Sequence, residues 1–320
     1  MQVVPAHQYL TREERQALLK KNNWLAWGTI LLNYGWVVGA LALVYWFPNP
    51  LSVLVALFIL GGKQLACAIL MHDTSHHAVF TSKRLNNWVG EWLGGFPIFN
   101  SMKQYRPYHY RHHVSNGLED DPDLLLTRGY PASKASMRRK IIRDLTGQTG
   151  VKALFGLILM HLGIIEFNLG GKVARVPKAQ RPAKVVVRNF AQNLLGPLVA
   201  QVAIFLLCYF LASGWLYLLW LGAYLTTFQF SLRVRSIAEH SVVTDREDPY
   251  VNTRTTKANF LEKVLFAPYN VNYHAEHHML MAVPPYRLGQ MHKILKTKGF
   301  YERGVLASGY REVLRGAVKV

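Results

Sequence analysis

Two long stretches of this chain, residues 26–62 and 190–232, hold no lysine or arginine, yet the whole carries a net charge of +19. Of the 37 basic residues, 36 lie outside these stretches and the segment joining the first of them to residue 72, the exception being Lys63. A charge of that size on an evenly basic chain would suggest nucleic acid. Here it is segregated, which is the positive-inside pattern of a membrane protein, and the basic surface suits anionic lipid headgroups. Apolar residues at 51% against 17% charged fit the same class.

Ala26 to Phe47 is long enough to cross a hydrocarbon core of ~30 Å. Pro48-Asn-Pro50 breaks it, and Leu51 to Met71 runs back, so the two form a transmembrane hairpin. Asn193 to Leu232 reads as a second hairpin turning at Ala212-Ser-Gly214. Lys63 admits two placements: facing the bundle interior or snorkelling at membrane depth, or standing in last turns that have already left the bilayer. The second is preferred because His72 follows directly. Thr11-Arg-Glu-Glu14 is a capping box opening a short helix to about Asn22, either at the membrane surface or plainly solvated. Asn87 to Phe99 is too short to span and predicts a re-entrant or interfacial helix. Val151 to Phe167 predicts an amphipathic surface helix, and a last helix should run from Pro285 to Thr297 and stop near Gly299. An even number of spans leaves every remaining motif, and both termini, on the basic, cytoplasmic side. The N-terminus shows no cleavable signal. The expected organisation is 1–25 N-terminal, 26–300 membrane domain and 301–320 C-terminal tail.

Nine of the 13 histidines fall in three short stretches. Asn270-Val-Asn-Tyr-His-Ala-Glu-His-His278 sets His274, His277 and His278 at offsets 0, 3 and 4, which share one face of a helix. His109, His112 and His113 repeat the spacing, and His72 and His76 form an i, i+4 pair with His77 beside it. Eight imidazoles, with His240 as a candidate ninth, exceed what one ion takes and imply two metals. Imidazole-rich sites with open positions suit iron that meets dioxygen. Asp73, Glu239, Glu276 and the Asp120–Asp123 run are either acceptors that orient the rings or solvated charge. The two cysteines, Cys67 and Cys208, form no CxxC, so no zinc ribbon, iron–sulfur site or disulfide framework is built in. A di-iron site opening toward acyl chains can remove hydrogen from an unactivated C–H bond, giving a double bond or, with oxygen rebound, a hydroxyl.

The pattern HxxxH, HxxHH, HxxHH resembles the integral-membrane fatty acid desaturase and hydroxylase superfamily. Arg235–His240, Asn252–Thr256, Asn270–His274 and Val283–Leu288 resemble its bacterial members, and the likeness covers roughly residues 50–300. The resemblance implies an all-α integral membrane protein: four transmembrane helices in two hairpins with a cytoplasmic helical cap holding a histidine-rich di-iron site. It implies O2 as co-substrate and a lipid acyl substrate, acyl-lipid or acyl-thioester. Electrons would come from a separate donor, ferredoxin or cytochrome b5-like, since the chain has no room for a fused carrier. By position, His72, His76, His109, His112, His113, His240, His274, His277 and His278 take the ligand roles. His77 has none, and His7, His161 and His292 read as ordinary polar residues. Animal acyl-CoA desaturases carry an asparagine one turn before the isolated histidine; Ser236 stands there in this chain, with Asn270 or Asn272 as substitutes. A carotenoid ketolase or hydroxylase resembles the same boxes. A metal transporter would place ionisable residues along the spans, where only Lys63 qualifies. A zinc protease would need HExxH, which is absent.

Overall fold

The computed structural model describes residues 3–319, and these are mostly helical. Helix α1 (Arg12–Leu19) opens on the expected box: Thr11 Oγ1 accepts the Glu14 amide at 3.2 Å and the Glu14 carboxylate accepts the Thr11 amide at 2.7 Å. The helix ends three residues before the expected Asn22 and is docked on protein, because Leu18 is buried in a core with Leu288, Met291 and Leu295. Helix α2 (Asn23–Trp46) is capped by Asn22 Oδ1, and α3 (Pro50–Ser75) by Asn49 and Ser52 with Pro50 at its first position. At 1.5 Å per residue they reach roughly 36 and 39 Å, enough to cross a bilayer.

Helix α3 is the axis of the molecule, packing against α2 and against several later helices, two of which carry histidines of the centre. From Gly61 to Ser75 every residue but Ala68 is buried. Lys63 is among them, with its ammonium 5.8 Å from the centroid of the Trp36 ring. Helix α4 (Lys83–Val89) continues through a π-turn (Gly90–Gly95) and a 3-10 turn (Phe96–Ile98), so this helical run starts four residues before the expected Asn87. Helix α5 (Met102–Ser115) carries the second histidine stretch; its first amides, Met102 N and Lys103 N, donate to Glu91 at 2.9 and 3.0 Å. A short α6 (Leu124–Thr127) follows the acidic turn, then α7 (Lys134–Leu145) and α8 (Gln148–His161). Helix α8 exposes Val151 and Phe155, buries Leu157 and His161, and ends at His161 rather than Phe167.

Helix α9 (Ala183–Asn189), a π-turn (Phe190–Leu194) and α10 (Leu195–Leu211) form one continuous helical run, the third candidate span among the described residues. Outward residues of α2 and α10 are strongly exposed, Leu31, Val38, Leu207 and Phe210 among them, which makes sense against lipid tails and not against water. The expected fourth span is interrupted. After a 3-10 turn, α11 (Tyr217–Leu225) and α12 (Thr227–His240) meet at Thr226, whose φ −118°, ψ −87° is not helical. The adjacent threonine hydroxyls turn to backbone carbonyls: Thr226 Oγ1 donates to Gly222 O at 2.6 Å, and Thr227 Oγ1 donates across to Leu57 O. Neither piece has the length of a span. Gly61 makes the crossing possible, since a Cβ there would overlap Thr227 Oγ1 and lie 2.7 Å from Phe228 N.

The remaining chain closes over the ends of α3, α5 and α12. Strand β1 (Arg254–Thr256) leads to α13 (Phe260–Leu265), α14 (His274–Met279) and α15 (Pro285–Thr297), the last with the expected bounds and Gly299 just beyond at φ +75°. Strand β2 (Val305–Ala307) pairs in parallel with β1, and α16 (Tyr310–Gly316) packs on α12. Residues 301–319 are thus stitched into the fold, with Ala132 N donating to Ala317 O at 2.9 Å.

Candidate metal centre

All nine histidines named above converge. They form two groups: His72, His76, His109, His113 and His277 in one, and His112, His240, His274 and His278 in the other; within each, the ligand atoms lie within 4.8 Å of one another. The groups adjoin, with the His113 and His278 rings 4.5 Å apart. The helical spacing explains the division. On α5 the i, i+4 pair His109 and His113 faces the first group while His112 faces the second. On α14 the i, i+4 pair His274 and His278 faces the second while His277 crosses to the first. Each HxxHH box therefore serves both groups, and His72 with His76 at the end of α3 completes the five.

The spacing inside each group fits an ion better than hydrogen bonds. His109 Nε2 stands 3.0 Å from His76 Nε2 and 2.9 Å from His113 Nε2, which is 3.2 Å from His277 Nε2. His274 Nε2 and His240 Nε2 are 2.7 Å apart. Imidazole nitrogens ~2.1 Å from one metal and at right angles would be about 3.0 Å apart. A ring nitrogen either donates or accepts, so the run from His76 to His277 cannot be satisfied by protons alone. The buried His72 Nε2 and both nitrogens of His278 have no hydrogen-bond partner among the described residues. Left bare, such atoms cost about 1–3 kcal/mol each.

The outer nitrogens fix the tautomers. His72 Nδ1 donates to Asp73 at 2.7 Å, His112 Nδ1 to Asp121 at 2.9 Å and His240 Nδ1 to the Asn252 carbonyl at 3.2 Å, leaving each Nε2 as a lone pair turned inward. Asp121 is held in turn by the amides of Gly117 and Asp123, which is what the acidic turn is for. Glu239 lies 3.6 Å from His274 Nδ1 and accepts from Arg235 at 2.7 Å. Burial drives His76 and His240 down to about 3 and holds His109, His113, His274, His277 and His278 well below the ordinary histidine range, so these rings are neutral, as metal ligands must be. His112 differs: burial lowers it, but Asp121, Asp123 and Glu239 outweigh burial and raise it.

Some expected partners lie elsewhere. The Glu276 carboxylate makes no hydrogen bond to any of the nine; it is tied to Thr255, to His292 Nδ1 at 2.7 Å and to the Tyr301 hydroxyl. His292, read as ordinary, thus anchors the back of α14. The Asn270 and Asn272 amides donate to the Pro285 and Thr256 carbonyls. In contrast, Asn116 and Asn252 each hold a buried, unpartnered Nδ2 and line a small polar pocket of about 10 Å³ with His112 and His240, room for about one water. No spacing rule singles out these two asparagines. Tyr105, stacked on His109 at 5.1 Å, was equally silent. His77 remains outside both groups.

The fold and site define a helical membrane protein with two buried histidine groups that could hold metal. The chain matches the fatty acid desaturase family model over residues 46–308 and belongs to that family, which makes it an oxidoreductase. It is similar to dihydrorhizobitoxine desaturase from Bradyrhizobium elkanii, at 27% identity over 78% of this chain and 68% of the relative. It is also similar to the sn-1 oleoyl-lipid 12-desaturase of a Synechocystis species, at 26% over 87% and 78%. The human sphingolipid delta(4)-desaturase/C4-monooxygenase matches at 25% over 87% and 76%.

Proposed function

We propose that this protein is a di-iron, oxygen-dependent desaturase of lipid acyl chains, with His72, His76, His109, His113 and His277 holding one iron and His112, His240, His274 and His278 the other. The observation that carries the proposal is the division of nine imidazoles, eight of them buried, into two adjoining groups at coordination spacing. Two irons with O2 supply the oxidising power for an unactivated C–H bond. The overall change removes one hydrogen from each of two adjacent carbons and reduces O2 to water, with two electrons and two protons from a separate ferredoxin or cytochrome b5-like donor. The chain's own residues hold and orient: Asp73, Asp121 and the Asn252 carbonyl keep their histidines' Nε2 lone pairs inward, Tyr105 stacks on His109, and burial excludes water.

In this reading residues 26–300 form the catalytic membrane domain, flanked by 1–25 and 301–320. The spans are four in two hairpins, the fourth made by α11 and the start of α12 despite the break at Thr226. The site and both termini face the cytoplasm. Hydroxylation is a second outcome, favoured by one observation: a relative's name joins desaturase to monooxygenase.

The test is expression with an added reductant system in a host lacking the activity, followed by mass spectrometry of its lipids. Desaturation predicts acyl chains short of two hydrogens, with the double bond abolished in His109→Ala. Products carrying one added oxygen instead would favour hydroxylation. An unchanged lipid profile from iron-loaded, reduced enzyme would overturn the proposal.

A further inference from the structure

Beside α10 an open groove of about 640 Å³ runs between the α4–π-turn segment and the π-turn that begins α10. One wall carries Trp88, Trp92 and Phe96 with Glu91, whose carboxylate is taken up by the Met102 and Lys103 amides, the other Leu195 and Val199, and Arg84 stands at one end. Trp88 is 52% exposed and Leu195 48%, so this is a concave apolar surface left open beside an apolar helix that faces lipid. Arg84 makes no ion pair or hydrogen bond among the described residues, which leaves a free guanidinium at the mouth of an apolar trough. An extended hydrocarbon chain fits the trough, and a phosphate fits the guanidinium, which binds such oxyanions bidentately. Tryptophans are favoured at the depth where headgroup meets tail.

We propose that this groove seats one anionic glycerophospholipid, an acyl chain against Trp88, Trp92 and Val199 and its phosphate at Arg84. The site is more than a patch of boundary lipid because its wall is wired to the histidine helices. Asn87 Oδ1 accepts from Arg106 Nη2 at 2.6 Å, and Arg106 Nε donates to Ser75 O at 2.9 Å, next to His76. Gly94 brings the same wall onto α3: a Cβ there would come within 2.8 Å of Met71 N, one residue before His72. A lipid in the groove therefore bears on the elements that position His72, His76 and His109. This goes beyond the redox reading and does not depend on it, since the groove contains no metal-binding residue of either group.

The test uses the full-length, iron-loaded protein in nanodiscs of phosphatidylcholine containing a phosphatidylglycerol whose acyl chain carries a diazirine. After illumination, labelled peptides are mapped by mass spectrometry. Labels should concentrate in residues 88–96 and 191–199. Arg84→Gln should lower that labelling about five-fold, the share of one basic side chain at an anionic headgroup, and the same probe with a phosphatidylcholine head should label about five-fold less. Val199→Trp, which fills the trough, should abolish groove labelling. Arg84 is exposed, so its variant keeps the test decisive if Val199→Trp misfolds. Labelling as dense on the outer face of α2 as in the groove would overturn the proposal. So would equal labelling by both headgroups, insensitivity to Arg84→Gln, or labelling by a photoreactive free fatty acid alone.

Discussion

His112 and His277 are the two residues that turn three histidine stretches into a paired centre, because each leaves the group its box neighbours join. The gathering of eight histidines was legible from i, i+3 and i+4 offsets, which any helix places on one side. The division was not, because it depends on how α5 and α14 face each other across α3. His240 stood alone in the sequence, yet its Nε2 lies 2.7 Å from His274 Nε2 and its Nδ1 is tied to Asn252. His240→Ala should abolish product, as His109→Ala does, while the protein still inserts and accumulates; half of wild-type activity would leave an eight-histidine centre. Asp121→Asn keeps the shape but loses the charge that orients His112, so metal affinity should fall about 10–100-fold, measured by competition with a chelator. An unchanged affinity would mean that Asp121 only holds its turn. Away from the centre, His161 is buried with Nε2 3.1 Å from Phe99 O, and burial lowers its pKa to about 4. The unfolded ring takes its proton at about 6.5, so the unfolded chain binds more protons between these values and stability falls as pH drops from about 6.5 toward 4. At pH 5 this amounts to roughly 2 kcal/mol. His161→Gln should therefore lose less melting temperature than the parent between about pH 7.5 and 5, and parallel losses would remove His161 as the cause.

Elements with explicit end signals came through with little error: the Thr11 box, the break at Pro48-Asn-Pro50 after Phe47 and α15 from Pro285 to Thr297. Elements set by long-range contact did not. The break at Thr226 sits inside an unbroken apolar run, and only the hydroxyl of Thr227 reaching Leu57 O reveals why α11 and α12 part there. Both π-turns and the pairing of β2 with β1 are likewise products of neighbours distant in the sequence. The close crossing of α3 and α12 makes a sharp prediction. Gly61→Leu must push backbone apart and should cost at least ~3 kcal/mol, seen as loss of the monodisperse peak in detergent gel filtration. Gly28→Ala, where a Cβ meets nothing within 4 Å, should stay within about 1 kcal/mol and on the stabilising side. Equal behaviour of the two variants would mean that the crossing does not depend on backbone contact.

At the scale of the whole molecule, the 36 basic residues outside the apolar stretches predict the direction of insertion. Cysteine labelling at the 48–50 and 212–214 turns should report the face opposite both termini, and cytoplasmic labelling at both turns would invert or remove the hairpins. The surrounding fold exists to enclose the two histidine groups, with α3, α5, α12 and α14 each delivering rings that no single element could bring together. Metal content tests that most directly. Elemental analysis of protein prepared anaerobically with ample iron should find about two irons per chain. Stoichiometric zinc with no iron, or a single ion per chain, would contradict it.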